Sequence, residues 1–282
     1  MTMLIDPFCP ICSSTRRETI EEAEYPYCVL KCAECDMVYV HPLPDAEELS
    51  RHYDAGYYSG WISAQRKPGE RMWARRLKVI RRWAEPGSLL DVGCGEGLFL
   101  EVAKNGGWQI EGTELSSHAA DFASRRLHQP MFCGEVWQAD FAPRSFDVVT
   151  MWHVLEHTTQ PLRILSVVKG LLKPGGYLVL AVPNVNDFVL QVAYLLTKGR
   201  RQRLFSLKDK EVHLFHFSKK SLRTLLTRSG FECLTSGPDF GIVDPAKKLI
   251  NGVAVAIHRA MGAHVYNFIK VNPRLCRGTP KV

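Results

Sequence analysis

No apolar run in this chain reaches the roughly 20 residues that span a bilayer as a helix. The first residues lack a basic segment followed by an apolar stretch, so no secretory signal is expected there. Acidic residues disappear after Asp244, whereas Lys247, Lys248, Arg259, Lys270, Arg274, Arg277 and Lys281 remain. Those cations account for the whole net charge of +7. Internal repeats and low-complexity tracts are missing too, which excludes a solenoid and a disordered polyelectrolyte. What is left is an ordinary globular composition, 46% apolar over 282 residues, enough to bury a substantial core.

Cysteine is present in an odd number, nine, and partly in pairs, which suits a reducing compartment better than a disulfide framework. A cytoplasmic location is therefore expected. The pairs are Cys9-Pro10-Ile11-Cys12 and Cys32-Ala33-Glu34-Cys35, with nineteen residues between them. Each pair can place two thiolates on one tight knuckle, and two knuckles complete a tetrahedral zinc site. Four protein ligands leave no open position, so such a zinc is structural. The short strands between the knuckles predict a zinc ribbon over residues 1–44 that depends on its metal for folding. Cys28 is a weaker substitute ligand because its spacing to Cys32 suits a knuckle less well.

The most informative run is Leu89-Leu90-Asp91-Val92-Gly93-Cys94-Gly95-Glu96-Gly97-Leu98-Phe99-Leu100. It reads as a buried strand, a loop with glycine at alternate positions, then an apolar helix. Such a turn lets a ligand approach the backbone and the unsatisfied N–H groups of a helix start. The third glycine arrives one residue too early for a dinucleotide G-x-G-x-x-G. Residues 109–113 read as a second strand with Glu114 just past its end, where a carboxylate can accept both hydroxyls of a ribose. Ser116 is placed to cap the helix that follows. Residues 145–151 form another buried-strand pattern, and Leu171-Leu172-Lys173-Pro174-Gly175-Gly176 reads as helix end and tight turn before a further strand. Alternating strands and helices predict an α/β fold with a doubly wound, Rossmann-like sheet.

The DVGCGEG loop, Glu114, the FDVV strand, the LLKPGG turn and the HLFHFSKKSLRTLLTRSGFE segment together resemble the class I S-adenosylmethionine-dependent methyltransferases, over roughly residues 85–236. The resemblance implies methyl transfer from S-adenosylmethionine. It places Asp91, Gly93, Cys94, Gly95 and Gly97 along the amino-acid end of the cofactor. It assigns Glu114 to the ribose, Leu115 to the adenine flank, and Glu135, within Gly134-Glu135-Val136, to the adenine edge. Ribbons of this kind precede the fold in some bacterial sugar C-methyltransferases and also in certain ribosomal-RNA guanine methyltransferases.

His153-Val154-Leu155-Glu156-His157 follows the third long strand, where the methyl group is expected. On a helix His153, Glu156 and His157 would share one face. His157 then serves as a general base assisted by Glu156, which resembles the Glu-His pair of sugar C-methyltransferases. Alternatively the three hold a divalent metal that polarises an acceptor hydroxyl. Ubiquinone-biosynthesis O-methyltransferases and small-RNA 2′-O-methyltransferases carry Glu-x-x-Glu-His here. His153 replaces the first Glu, which counts against magnesium because hard cations prefer oxygen. His213 and His216 can approach from a later loop.

Residues 45–85 read as a helical linker with Tyr53, Tyr57, Tyr58 and Trp61 concentrated in it, and the resemblance implies that such a segment folds over the cofactor. The methyltransferase domain is expected over 86–240 and a basic extension over 241–282. Arg200, Arg201 and Arg203 lie near the end of the apolar stretch 188–205 and suit a phosphate, as on a nucleotide- or lipid-linked sugar. The expected acceptor is a small molecule or glycan precursor, methylated at oxygen or carbon. RNA gripped by the ribbon and basic segments is the alternative, although no interleaved aromatic and basic module supports it. Leu249, Ile250, Val253, Ile257 and Met261 recur at near-helical spacing among basic residues, which predicts peripheral contact with an anionic membrane, on the inner face.

Overall fold

A computed structural model of the chain describes residues 8–45, 48–49, 66–186, 191–192, 195–196, 199, 202–209, 211–237 and 266–273, the last segment as backbone. Seven strands form the main sheet. In chain order they are β4 (Ser88–Val92), β5 (Gln109–Glu114), β6 (Phe132–Cys133), β7 (Phe146–Trp152), β8 (Leu172–Pro183), β10 (Phe231–Gly237) and β11 (Tyr266–Pro273). Their spatial order is β10-β11-β8-β7-β4-β5-β6. The five strands from β6 to β8 run parallel, and β11 is antiparallel to both neighbours.

Five helices are described: α1 (Arg66–Ile80), α2 (Leu98–Asn105), α3 (Ser117–Leu127), α4 (Pro161–Leu171) and α5 (Lys219–Arg228). Their starts follow local chemistry. Ser116 caps α3 by accepting from the Ala119 N–H, and Ser218 forms a reciprocal capping box with Ser221 at α5. Pro161 opens α4, where its missing N–H costs nothing. Strands β4 and β7 are buried along nearly their whole length, as parallel strands covered on both faces must be.

The chain passes from β4 outward through β5 and β6, then returns to the other side of β4 with β7. The crevice at the carboxyl ends of β4 and β7 is therefore the place where an open α/β sheet binds ligands.

Two sequence expectations are revised. The LLKPGG segment is no separate turn: β8 begins at Leu172 directly after α4, and pairing with β7 shifts register between Phe146 and Val148. The sheet also does not end at residue 240. It takes β11 from the basic extension and seats that strand between β10 and β8. The predicted amphipathic stretch 249–261, Arg200 and Arg201, and the aromatic residues 53–61 lie outside the described residues.

The N-terminal strands β1 (Arg17–Glu22), β2 (Cys28–Cys32) and β3 (Val38–His41) make a second, antiparallel sheet. Its fourth strand is β9 (Phe215–His216), contributed from far along the chain. Ile11, Val29, Met37 and Val40 belong to the same buried cluster as Leu90, Met151, Leu180 and Phe217. The ribbon and the large sheet thus share one core.

Candidate active site

The three loop glycines all have positive φ, +71° at Gly93, +54° at Gly95 and +75° at Gly97. Each serves a different contact. A Cβ at Gly93 would lie 2.6 Å from Val154 Cγ2, and one at Gly97 would lie 3.0 Å from Ala123 Cβ. At Gly95 no atom of the described residues comes within 4 Å of that position, so the backbone there is open to a ligand. Glu114 is 7% exposed and is held by the loop itself. Its carboxylate accepts from the N–H groups of Gly95 (2.9 Å) and Ser116 (3.0 Å). Leu115 beside it is exposed. Across the crevice edge, the Gly134 N–H donates to the Glu114 carbonyl, and the Glu135 N–H to the Gln138 side chain. Burial raises the Glu135 carboxyl above its ordinary value. The Cys94 thiol is buried and pushed well up by desolvation, which makes it a packing group rather than a nucleophile.

Asp91 is fully enclosed at the end of β4. Its carboxylate accepts from Thr150 Oγ1 at 2.6 Å. Burial pushes its pKa up to about 8, against the opposing pull of that bond and of Arg76. Arg76 is one of several cations between Arg66 and Arg82. The structure buries it, 3% exposed, with its guanidinium 4.5 Å from the ring centroids of both Trp73 and Trp152. Such stacking is worth about 2 kcal/mol per ring when desolvated. The signal was available: Trp73, Arg76, Leu77 and Ile80 fall at i, i+3, i+4 and i+7, the apolar face of α1.

The segment 153–157 is a turn, not a helix, and this corrects the shared-face expectation. His153 takes φ +58° and its N–H donates to the Ala181 carbonyl, so the chain breaks away as soon as β7 ends. The three side chains divide. His153 Nδ1 meets Glu156 Oε1 at 3.1 Å. His157 turns toward His213, with ring centroids 4.8 Å apart. His157 Nδ1 lies 2.8 Å from the Val212 carbonyl, which can only accept, so Nδ1 is the donor of that bond and the neutral ring is the Nδ1–H tautomer. Ligand atoms of Glu156, His157 and His213 lie within 4.8 Å of one another. Glu156 is 1% exposed, and its Oε2 has no hydrogen-bond partner among the described residues. Leaving a buried charged oxygen unpaired costs more than about 1–3 kcal/mol, a penalty that a cation removes. His216, 6.0 Å from His213, is buried and its pKa is lowered to about 4 by that burial, so it stays neutral near pH 7.

The four ribbon cysteines converge as the spacing predicts. Cys9 Sγ to Cys35 Sγ and Cys12 Sγ to Cys32 Sγ are both 3.5 Å, and all four sulfurs fall within 4.8 Å. These separations are far beyond a disulfide bond of about 2 Å and close to the edge of about 3.8 Å of a tetrahedron with Zn–S near 2.3 Å. The hydrogen bond from Cys35 holds Cys9 well below the ordinary thiol range. Cys28 lies outside the cluster, its Sγ directed to the His41 carbonyl at 3.4 Å.

A buried strand, three positive-φ glycines, a backbone-held carboxylate at the next strand end and strand order with β11 reversed define a class I S-adenosylmethionine-dependent methyltransferase. Residues 64–236 match the family described as "Methyltransferase domain", and the chain belongs to it. A ubiquinone biosynthesis O-methyltransferase of Coxiella burnetii is 29% identical over 194 residues, 66% of this chain and 81% of that protein. One from Paraburkholderia phytofirmans is 32% identical over 187 residues, 61% of this chain and 81% of that protein. Two solved structures share the fold. A putative methyltransferase complexed with the Haloferax volcanii Trm112 activator aligns with TM-score 0.57 and 15% identity over 77% of this chain and 96% of that one. Geranyl diphosphate C-methyltransferase from Streptomyces coelicolor, with S-adenosyl-L-homocysteine, aligns with TM-score 0.51 and 18% identity over 71% and 75%.

Proposed function

We propose that this enzyme methylates a hydroxyl of a small-molecule or glycan-precursor acceptor, with Glu156, His157 and His213 as the reacting centre. The observation that carries this reading is the convergence of Glu156, His157 and His213, with His157 Nδ1 held 2.8 Å from the Val212 carbonyl beside the buried Glu156. The acceptor oxygen attacks the sulfonium methyl carbon, the carbon–sulfur bond breaks, and its electron pair stays on S-adenosylhomocysteine. The hydroxyl proton passes to His157 Nε2. Glu156 steadies the positive charge that arises there. The donor set also fits a divalent cation, which when bound supplies Lewis-acid polarisation of the same hydroxyl. The O-methyltransferase relatives support oxygen over carbon as the acceptor atom. Incubation with methyl-labelled S-adenosylmethionine against nucleotide sugars, lipid-linked sugars, polyprenyl catechols and bulk RNA tests the reading. Label is expected in a hydroxyl-bearing small molecule; label confined to RNA sinks it.

Asp91 and Arg76 suit the zwitterionic end of the cofactor, the carboxylate toward Arg76 and the ammonium toward Asp91. At pH 7 an Asp91 with pKa about 8 is mostly protonated. An ammonium beside it restores the carboxylate, so binding releases a proton. Calorimetry in buffers of different ionisation enthalpy should show nearly one proton released per site at pH 7. Asp91→Asn should abolish the release and weaken binding roughly tenfold, the value of one charged hydrogen bond. Release that persists in Asp91→Asn would assign the proton elsewhere.

The four ribbon thiols fit a structural zinc by donor type, number and spacing. Freshly purified, unchelated protein should contain one zinc per chain by elemental analysis. Cys9→Ser should lose it with most helical signal retained. Metal-free wild-type protein would remove the zinc from this reading.

A further inference from the structure

The catalytic imidazoles are not held by the methyltransferase sheet alone. His213 and the Val212 carbonyl belong to the stretch of residues 211–217, which runs between the ribbon and the turn that carries Glu156 and His157. On its inner side, the N–H groups of Leu214 and Phe215 donate to the Glu156 carbonyl at 2.7 and 3.2 Å. On its outer side, β9 pairs with β3, Val38 opposite His216 and Tyr39 opposite Phe215. The Val40 N–H adds a bond to the Leu214 carbonyl at 3.0 Å.

Strand β3 in turn begins at the second cysteine knuckle. The Cys32 N–H donates to the Met37 carbonyl at 2.8 Å and the Asp36 N–H to the Cys32 carbonyl at 3.1 Å. The path from thiol cluster to His213 is therefore a short run of backbone hydrogen bonds through buried residues. A second anchor lies upstream. The Glu21 carboxylate, on β1, accepts from the N–H groups of Leu204 (2.9 Å) and Phe205 (3.2 Å). The Phe205 ring packs edge-on against Tyr27, centroids 5.2 Å apart. Surface ion pairs Lys208–Glu24 (3.2 Å) and Lys220–Asp36 (3.1 Å) tie the same elements but contribute little in solvent.

We propose that the cysteine ribbon is the positioning frame of the reacting centre: through Glu21 it holds residues 204–205 and through Val40 residues 211–217, so that Val212 fixes the tautomer of His157 and His213 stays beside Glu156. Glu21 and Val40 are positioning residues and touch no reactant. The proposal rests on Glu156, His157 and His213 being the reacting centre, and its test does not use methyl transfer.

The test is nitrogen-15 NMR of histidine-labelled full-length protein saturated with S-adenosylhomocysteine. His157 in the wild-type protein should show the Nδ1–H tautomer. In Glu21→Ala the tautomer ratio should fall about fivefold, the equivalent of one ordinary hydrogen bond, with S-adenosylhomocysteine affinity unchanged. Glu21→Gln keeps an acceptor oxygen and should restore much of the ratio. Cys12→Ser should produce the largest shift, and hydrogen exchange at Leu214 and Phe215 should rise while β4 stays protected. If Cys12→Ser does not fold, Glu21→Ala and its glutamine rescue decide the matter. An unchanged His157 signature in Glu21→Ala overturns the proposal. So does a cofactor-product affinity that falls in proportion to the tautomer ratio, because that marks general loosening. If His157→Ala retains turnover, the reacting-centre reading fails, whereas the tautomer measurement still reports whether the ribbon holds the segment.

Discussion

Replacing Gly95 by valine will abolish measurable S-adenosylmethionine binding while the protein stays folded. Gly95 has φ +54°, a region that a β-branched residue enters only with strain. The new side chain would also enter open space, where no atom of the described residues lies within 4 Å of its Cβ. The core therefore has no reason to rearrange, and the damage falls on the ligand. The Gly95 N–H bond to Glu114 adds a second route, because a shifted loop also displaces the carboxylate assigned to the ribose. Calorimetric titration together with circular dichroism checks both halves. Wild-type affinity in Gly95→Val would remove this loop from the cofactor site.

Substituting His157 by alanine is expected to lower turnover by on the order of 100- to 10,000-fold, the range of a general base, with cofactor affinity nearly unchanged. Its ring lies beyond the end of β7, next to His213. Glu156→Gln should lose less, because the amide still fills the buried position beside His153. The two chemical roles separate on one further measurement. Turnover that a chelator abolishes and added divalent metal restores, without loss of any metal held by the four cysteines, assigns the cluster to a cation. Indifference to chelation assigns the proton to His157 alone. Normal turnover in His157→Ala with the true acceptor would defeat both.

The parts of the site that were legible in the sequence are those set by local chain chemistry. Gly93, Gly95 and Gly97 announce a backbone that must turn and be approached, and each has positive φ. Cysteine pairs at knuckle spacing announce their own convergence, since each pair closes on itself within a few residues. Ser116 and Ser218 announce helix starts. What stayed hidden depends on tertiary placement. Spacing alone cannot separate a helix from the turn at 153–157, because the break is imposed by the His153 bond to Ala181 on the neighbouring strand. His213 joins His157 only because β9 is drawn against β3. Arg76 looks like one more surface cation until Trp152, at the end of β7, closes over it. β11 carries no mark of its destination, since its partners are set by the whole sheet.

That last strand has a consequence for how the chain reaches its native state. β11 is the last of the sheet's strands to leave the ribosome, yet it is an interior one, with β8 on one side and β10 on the other. Until residues 266–273 arrive, two strands present open hydrogen-bonding edges toward the same gap. The nascent protein can form its ribbon and parallel strands early, but it carries a slot that any extended peptide can enter. Synthesis that stalls or terminates between residues 237 and 266 leaves this slot unfilled, and the product is prone to pair with other chains rather than with itself.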